Sequence, residues 1–299
     1  MQTEAHLNKS ELGDLLVSGC NIQIGPFCFN IKTSIPSVIQ NFSHLYTDHA
    51  ILDKQAFVDF YVSINPPANL RRWIRPQAVF EIDDYRPLEP LPLAHAYPLF
   101  EWGLNWCIAN KAHQYLIFHA AILEKDGKAI LLPGEPGSGK STLCTILAHT
   151  GWSLMSDELT LLTVPTAEVI PIPKPISLKN QSISVIKNLF PKSDFGNVYE
   201  NTSKGTLTHL KAPLPSTQVA KIKWIIFPKF GEHAETDLQE ITKGAAHMRL
   251  LQNAFNHNVF GKTGFETINR VLDQSEVFSF SYSDSDTALN AVKEITGTN

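Results

Sequence analysis

Residues 129–149 read AILLPGEPGSGKSTLCTILAH: an apolar run, a glycine-rich loop and an amphipathic run in direct succession. This stretch constrains the fold more than any other in the chain. An apolar strand that turns through small residues straight into a helix belongs to an α/β domain. Within it, Gly134, Gly139, Lys140 and Ser141 match the spacing G-x-x-x-x-G-K-[ST]. Small residues let backbone N–H groups curl around a phosphate, and the helix N-terminus adds positive dipole. The candidate nucleotide-contacting set is Gly134, Glu135, Pro136, Gly137, Ser138, Gly139, Lys140, Ser141 and Thr142. In that role Lys140 neutralises β- and γ-phosphate oxygens, and the Ser141 hydroxyl holds Mg²⁺. ATP and Mg²⁺ are the expected ligands.

Two further features flank the loop. Asp157 and Glu158, in SLMSDELTLL, follow Lys140 by 17 and 18 residues, after one helix and one returning strand. That path predicts carboxylates near the mouth of the loop, where one acid can hold Mg²⁺ while the other takes a proton. A solvated turn or helix cap is the plainer alternative for the pair. On the N-terminal side, His119 lies in the strand YLIFHAAIL, 21 residues before Lys140. Taken alone, a histidine in such a strand reads as a core residue.

Taken together, FHAAILEKDGKAILLPGEPGSGKST and GWSLMSDEL resemble HPr kinase/phosphorylase, a bacterial protein serine kinase family. The resemblance spans residues 115–165 and is nearest to the HPr kinase-related proteins. It implies a P-loop kinase domain of the HPr kinase/PEP carboxykinase-like type, with catalytic roles for Asp157, His119 and Lys140. Asp157 would take the proton of a substrate hydroxyl, and Ser141, Glu158 and Asp157 form the candidate metal set. Glu158 stands where the family has a second Asp, and Thr142 where it has an acid. The family's later signature and its HPr-docking C-terminal helices have no counterpart here, and neither does its usual N-terminal domain.

The rest of the chain narrows the setting. It has 299 residues, 43% hydrophobic and 18% charged, enough for one large domain or two modest ones. A net charge of −4 and a pI near 6.3 give no footprint for nucleic acid. No run reaches the roughly 20 apolar residues of a membrane span, and the opening MQTEAHLNKSELGDLL lacks an apolar signal core. Cys20, Cys28, Cys107 and Cys144 are scattered, which predicts reduced, buried thiols. A soluble, cytoplasmic protein is expected, with no membrane or nucleic-acid partner and with homo-oligomers left open.

Residues 21–33 alternate apolar and polar around Gly25-Pro26, a hairpin signal. Further strands are expected over 57–64 and 78–82. The four prolines of Arg86–Pro98 exclude regular helix and mark a linker. The expected division is therefore 1–92, a smaller N-terminal α+β region, and 93–299, the loop-bearing domain. In the latter, strands are expected over 115–123, 129–132, 153–155, 159–164, 223–227 and 277–282. Helices are expected from 99, over 142–149, 244–255 and 265–273, and over 284–295. Residues 173–215, with five prolines and two glycines, read as an irregular excursion of the kind used for lids. There Lys174, Lys179 and Lys204 are candidate cations for phosphate, and NAFNHN (253–258) reads as site lining or a helix cap.

These features predict an ATP-dependent phosphotransferase whose acceptor is a hydroxyl of a protein, a peptide or a small molecule. A nucleotide-binding switch or ATPase is the rival, although only Arg249 and Arg270 follow the loop to supply the arginine it commonly needs.

Overall fold

The computed structural model describes residues 9–297; the start of the polar N-terminal stretch, residues 1–8, lies outside them. The chain forms two compact units. One takes the chain up to Lys111 together with Ser177–Ile183 and Asp194–Lys211; the other takes Ala112–Ile176, Ser184–Ser193 and the chain from Ala212. The fold is mixed α/β, with three sheets among the described residues. No helix among the described residues is long and apolar enough to cross a membrane.

In the first unit, α1 (Lys9–Ser18) leads into the hairpin of β1 (Cys20–Ile24) and β2 (Phe27–Thr33), turned at Gly25-Pro26 as the alternation predicts. Next come α2 (Pro36–Leu45), opened by proline in its first turn, and the strands β3 (Phe60–Asn65), β4 (Gln77–Ile82) and β5 (Leu91–Pro92). These complete a five-stranded sheet in sequence order, with β2 and β3 parallel. The proline-rich stretch runs along β4 as the short β5 and then enters α3 (Ala96–Lys111). The first unit thus continues through that stretch to Lys111. Helix α3 lies close on β4 because Gly103 sits over the Phe80 ring, where an added Cβ would collide with it.

The second unit opens with β6 (Tyr115–Lys125) and β7 (Lys128–Pro133), an antiparallel pair turned at Asp126-Gly127. The glycine loop and α4 (Lys140–His149) follow, then β8 (Ser153–Ser156), β9 (Leu159–Thr163) and β10 (Glu168–Ile170).

Residues 173–215 are not the irregular excursion expected. They hold β11 (Ile176–Lys179), α5 (Gln181–Leu189), β12 (Phe195–Thr202) and β13 (Gly205–Leu210). The three strands form a sheet in the order β11-β13-β12, in the first unit. Pro173 and Pro175 precede β11, Pro191 falls between α5 and β12, and Pro213 and Pro215 follow β13. The prolines bound the elements rather than interrupt them, so a proline-rich segment still holds three strands and a helix.

The second unit is completed by β14 (Ala220–Phe230), β15 (Asp237–Glu240), α6 (Lys243–Gln252), α7 (His257–Gln274), β16 (Glu276–Tyr282) and α8 (Ser285–Thr296). Its sheet runs β10-β9-β6-β7-β14-β16-β15, with β8 also on β6 and β10 pairing back to β14. At its centre β7, β14 and β16 are parallel. One face, including Phe118, Ile122, Leu131, Ile225 and Val277, forms a core with Leu250, Ile268 and Val271 of α6 and α7. Helix α4 packs on β6 and β7 and against α8. The N-cap of α8 is Asp284, whose carboxylate accepts from the Thr287 amide at 2.8 Å.

Candidate functional site

Strand register brings the three motifs to one edge of the second unit's sheet. Along one side of β6, Ala121 pairs with Leu132 and Ala120 with Pro133, the last residue before the glycine loop. Along the other side, Ile122 pairs with Ser156 of β8 and His119 with Leu159 of β9. Asp157 and Glu158 form the two-residue bend between β8 and β9. They are two strand spacings from the end of β7, about 10 Å at the usual 4.8 Å per strand. His119 lies one residue beyond the Ala120–Pro133 pair, level with Gly134, the first glycine of the loop.

The bend at Asp157-Glu158 is held locally. The Ser156 hydroxyl accepts from the Leu159 amide at 3.1 Å, and Thr160 Oγ1 donates to the Ala120 carbonyl at 3.0 Å. Asp157 is only 3% exposed, while Glu158 is half-buried. Cys144 of α4 responds to this neighbour. Burial first, and the charge of Asp157 second, push its thiol well above the ordinary range. A buried carboxylate on the α4 side of the sheet is not a solvated turn.

The loop is braced from later parts of the chain. Gly137 and Gly139 adopt φ of 89° and 91°, the left-handed region that favours glycine. The Ser138 carbonyl accepts from the Phe230 amide at 3.1 Å, and the Gly139 carbonyl from the Tyr282 hydroxyl at 3.3 Å. Burial pushes the Tyr282 phenol up, so it stays protonated and donates. A Cβ at Gly139 would collide with the Tyr282 hydroxyl and come within 2.9 Å of Phe230 Cβ.

Inside the loop, Lys140 is 7% exposed, and its Nζ donates to the carbonyls of Gly134 and Glu135. The Ser138 hydroxyl is buried without a hydrogen-bond partner. Gly139 is the N-cap of α4 and offers no side-chain acceptor, so the first-turn amides there lack a side-chain cap. A buried cation, an orphan hydroxyl and uncapped amides together describe a place suited to an anion. Ser141 and Thr142, in the first turn of α4, are half-buried. Glu135, Pro136 and Gly137 form the exposed tip of the loop.

His119 is half-buried on the α4 side of β6. Its amide donates to the Asn253 carbonyl at 2.7 Å, and its ring lies 6.0 Å from that of Phe255. The remaining candidates fall elsewhere. Lys174 is buried before β11. Lys179 and Lys204 belong to the first unit, where Lys204 Nζ sits 4.5 Å over the Trp102 ring. In NAFNHN, Asn253 caps α6 and Asn256 clamps the edge of β6, accepting from the Ile117 amide and donating to the Tyr115 carbonyl. That segment therefore has a structural task. Phe230 and Tyr282 had no local signal. They lie some 90 and 140 residues after the loop, and only the parallel pairing of β7, β14 and β16 brings them to it.

All four cysteines are free and buried, as their spacing predicts. Among the described residues no group of three or more His, Cys, Asp or Glu side chains could hold a metal ion by itself.

No family model matches the chain, and no curated protein matches it. Among solved structures it is similar to the Hpr(Ser) kinase/phosphatase from Coxiella burnetii, at 13% identity. That similarity covers 60% of this chain and 94% of that one, with a TM-score of 0.27.

Proposed function

We propose that the second unit is an ATP- and Mg²⁺-dependent phosphotransferase acting on a hydroxyl acceptor, a serine of a protein or peptide. The observation that carries this reading is the register around β6, which sets a buried aspartate and its neighbouring glutamate on the same sheet edge as the glycine loop. In this reading the triphosphate lies across the α4 N-terminus, with Lys140 turning from the loop carbonyls to the phosphate oxygens. Asp157 orients the acceptor hydroxyl and takes its proton as the acceptor oxygen bonds to the γ-phosphorus. The bond to the β-phosphate oxygen breaks, and ADP leaves. Positioning and charge neutralisation supply most of the rate.

The residues present fit Mg²⁺. Ser141, Asp157 and Glu158 offer oxygen donors, which suit this hard ion. Bound there, Mg²⁺ would neutralise charge on the phosphates. His119 borders the same edge and would help position the phosphate or the acceptor.

Incubating the purified chain with γ-labelled ATP and a cell lysate tests the proposal. Label on a protein or peptide is the expected result. Label on a small molecule would shift the acceptor class, and free phosphate alone would replace the kinase by an ATPase.

A further inference from the structure

The first unit carries the chain's densest run of arginine. Residues 66–76, PPANLRRWIRP, join β3 to β4, and every residue from Ala68 to Pro76 is exposed. The run holds three of the chain's six arginines, none of its nineteen lysines and no carboxylate.

The loop has a built shape. A 3₁₀ turn, Leu70–Arg72, starts at Asn69, whose side chain accepts from the Arg71 amide at 2.9 Å. The Ile74 amide donates to the Leu70 carbonyl at 2.9 Å and closes the turn. Pro67 is buried at one end, and at the other the Pro76 carbonyl accepts from the Leu93 amide at 2.8 Å. Leu70, Trp73 and Ile74, at i, i+3 and i+4, therefore share one side of the turn. They are 69, 70 and 61% exposed, so their own chain leaves them uncovered. Single apolar side chains on a surface need no explanation, but three together ringed by charge mark a contact site.

The charge comes from Arg71, Arg72 and Arg75. Arg86, in the same unit, pairs with Glu81 at 2.7 Å, whereas these three make no ion pair among the described residues. The Arg72 guanidinium stands 6.0 Å from the centroid of the Trp73 ring, at the limit of a cation–π contact.

The choice of cation narrows the partner. An anionic lipid surface attracts Lys and Arg alike, yet this loop takes only arginine in a chain richer in lysine. Arginine alone offers a planar fork that grips a carboxylate with two parallel hydrogen bonds. Phosphates of a nucleic acid also fit that fork, but a net charge of −4 opposes a long polyanion. Arg and Trp together are the residues that dominate the centres of protein interfaces.

We infer that this loop docks an acidic segment of a partner protein, its carboxylates on Arg71, Arg72 and Arg75 and its apolar side chains against Leu70, Trp73 and Ile74. The inference does not depend on the phosphotransferase reading. The Asn69 cap already holds the turn, so binding costs the chain little further ordering.

Fluorescence anisotropy of a short labelled peptide of Asp, Glu, Leu and Phe, titrated with the intact chain, tests it. Saturable binding that weakens as salt rises is expected, and the same peptide with Lys in place of its acids should not bind. Trp73→Ala should weaken the acidic peptide at least about tenfold. Changing Arg71, Arg72 and Arg75 together to Lys keeps the charge but loses the fork, and should also weaken it. All four positions are exposed, so the melting temperature should stay at the parental value and serves as the folding control. No binding of the acidic peptide, or parental binding by either variant, would overturn the inference. Phosphatidylserine vesicles or an RNA oligonucleotide binding the parent more tightly than the peptide, and lost with Trp73→Ala, would give the loop to that partner instead. Self-association in sedimentation that Trp73→Ala abolishes would give it to a second copy.

Discussion

In the second unit, a single run of 21 residues supplies a central strand, the glycine loop and the helix behind it. The first unit has no such run. Its three-stranded sheet comes from segments that enter after all of β6 to β10, and its buried polar cluster draws Tyr46 from the C-cap of α2 and Tyr97 and Glu101 from α3. There the hydroxyls of Tyr46 and Tyr97 donate to one Glu101 oxygen at 2.8 and 2.7 Å, and the Tyr199 hydroxyl of β12 accepts a hydrogen bond from Asn41 at 3.0 Å. Short-range chemistry leaves a motif, whereas long-range chemistry leaves only scattered polar residues. Damage to the acidic pair of the second unit should therefore appear first in activity, and damage to the first unit's polar cluster in stability.

Asp157→Asn is the largest expected effect and the sharpest test of that contrast. The amide keeps the size of the side chain but cannot accept a hydroxyl proton, so transfer should fall about 10²–10⁴-fold. ATP affinity and melting temperature should stay near the parental values. Calorimetry, thermal denaturation and transfer rate on one preparation decide it. A modest loss of stability with an unchanged rate per folded molecule would reduce Asp157 to a structural residue.

Glu101→Ala should act in the opposite way, by stability alone. It leaves two buried phenols without their acceptor, at a cost of about 3 kcal/mol, while Glu101→Gln keeps an acceptor oxygen and should lose less than half of that. Urea titrations of the two variants make the comparison. Equal losses would mean that the hydrogen bonds to Glu101 are not what stabilises the cluster.

Gly139→Ala tests whether the loop depends on its distant braces. Positive φ costs about 1–2 kcal/mol for a residue with a Cβ, and the clash with Tyr282 and Phe230 adds to it. Both the melting temperature and polyphosphate affinity should drop. Retention of full affinity would show that the loop moves freely of those residues. Asp284→Ala should have the smallest effect, about 1 kcal/mol from loss of the α8 cap, with no change in nucleotide affinity.

How much was legible follows the same division. The hairpin at Gly25-Pro26, the strands on either side of Asp126-Gly127, and helices α4 and α8 were visible because turn residues, caps and apolar period all act within a few positions. The sheet of β11, β12 and β13 was not, because its strands are short and bounded by prolines that, counted as composition, resemble a loop. Lys204 reads in the sequence as a candidate cation for phosphate, yet in the folded chain its ammonium lies over Trp102, a partner about 100 residues away.

From the sequence alone one could establish that a glycine loop sits between a strand and a helix, and that an acidic pair and a histidine flank it at set spacings. Those facts are covalent and local, and they hold whatever the rest of the chain does. Tertiary structure alone decided that the acids lie at the bend where β8 and β9 both pair with β6, that Asp157 is buried beside α4, and that Phe230 and Tyr282 brace the loop. Those relations depend on which strands pair and in what register, and a shift of one residue would turn each side chain to the other face of the sheet.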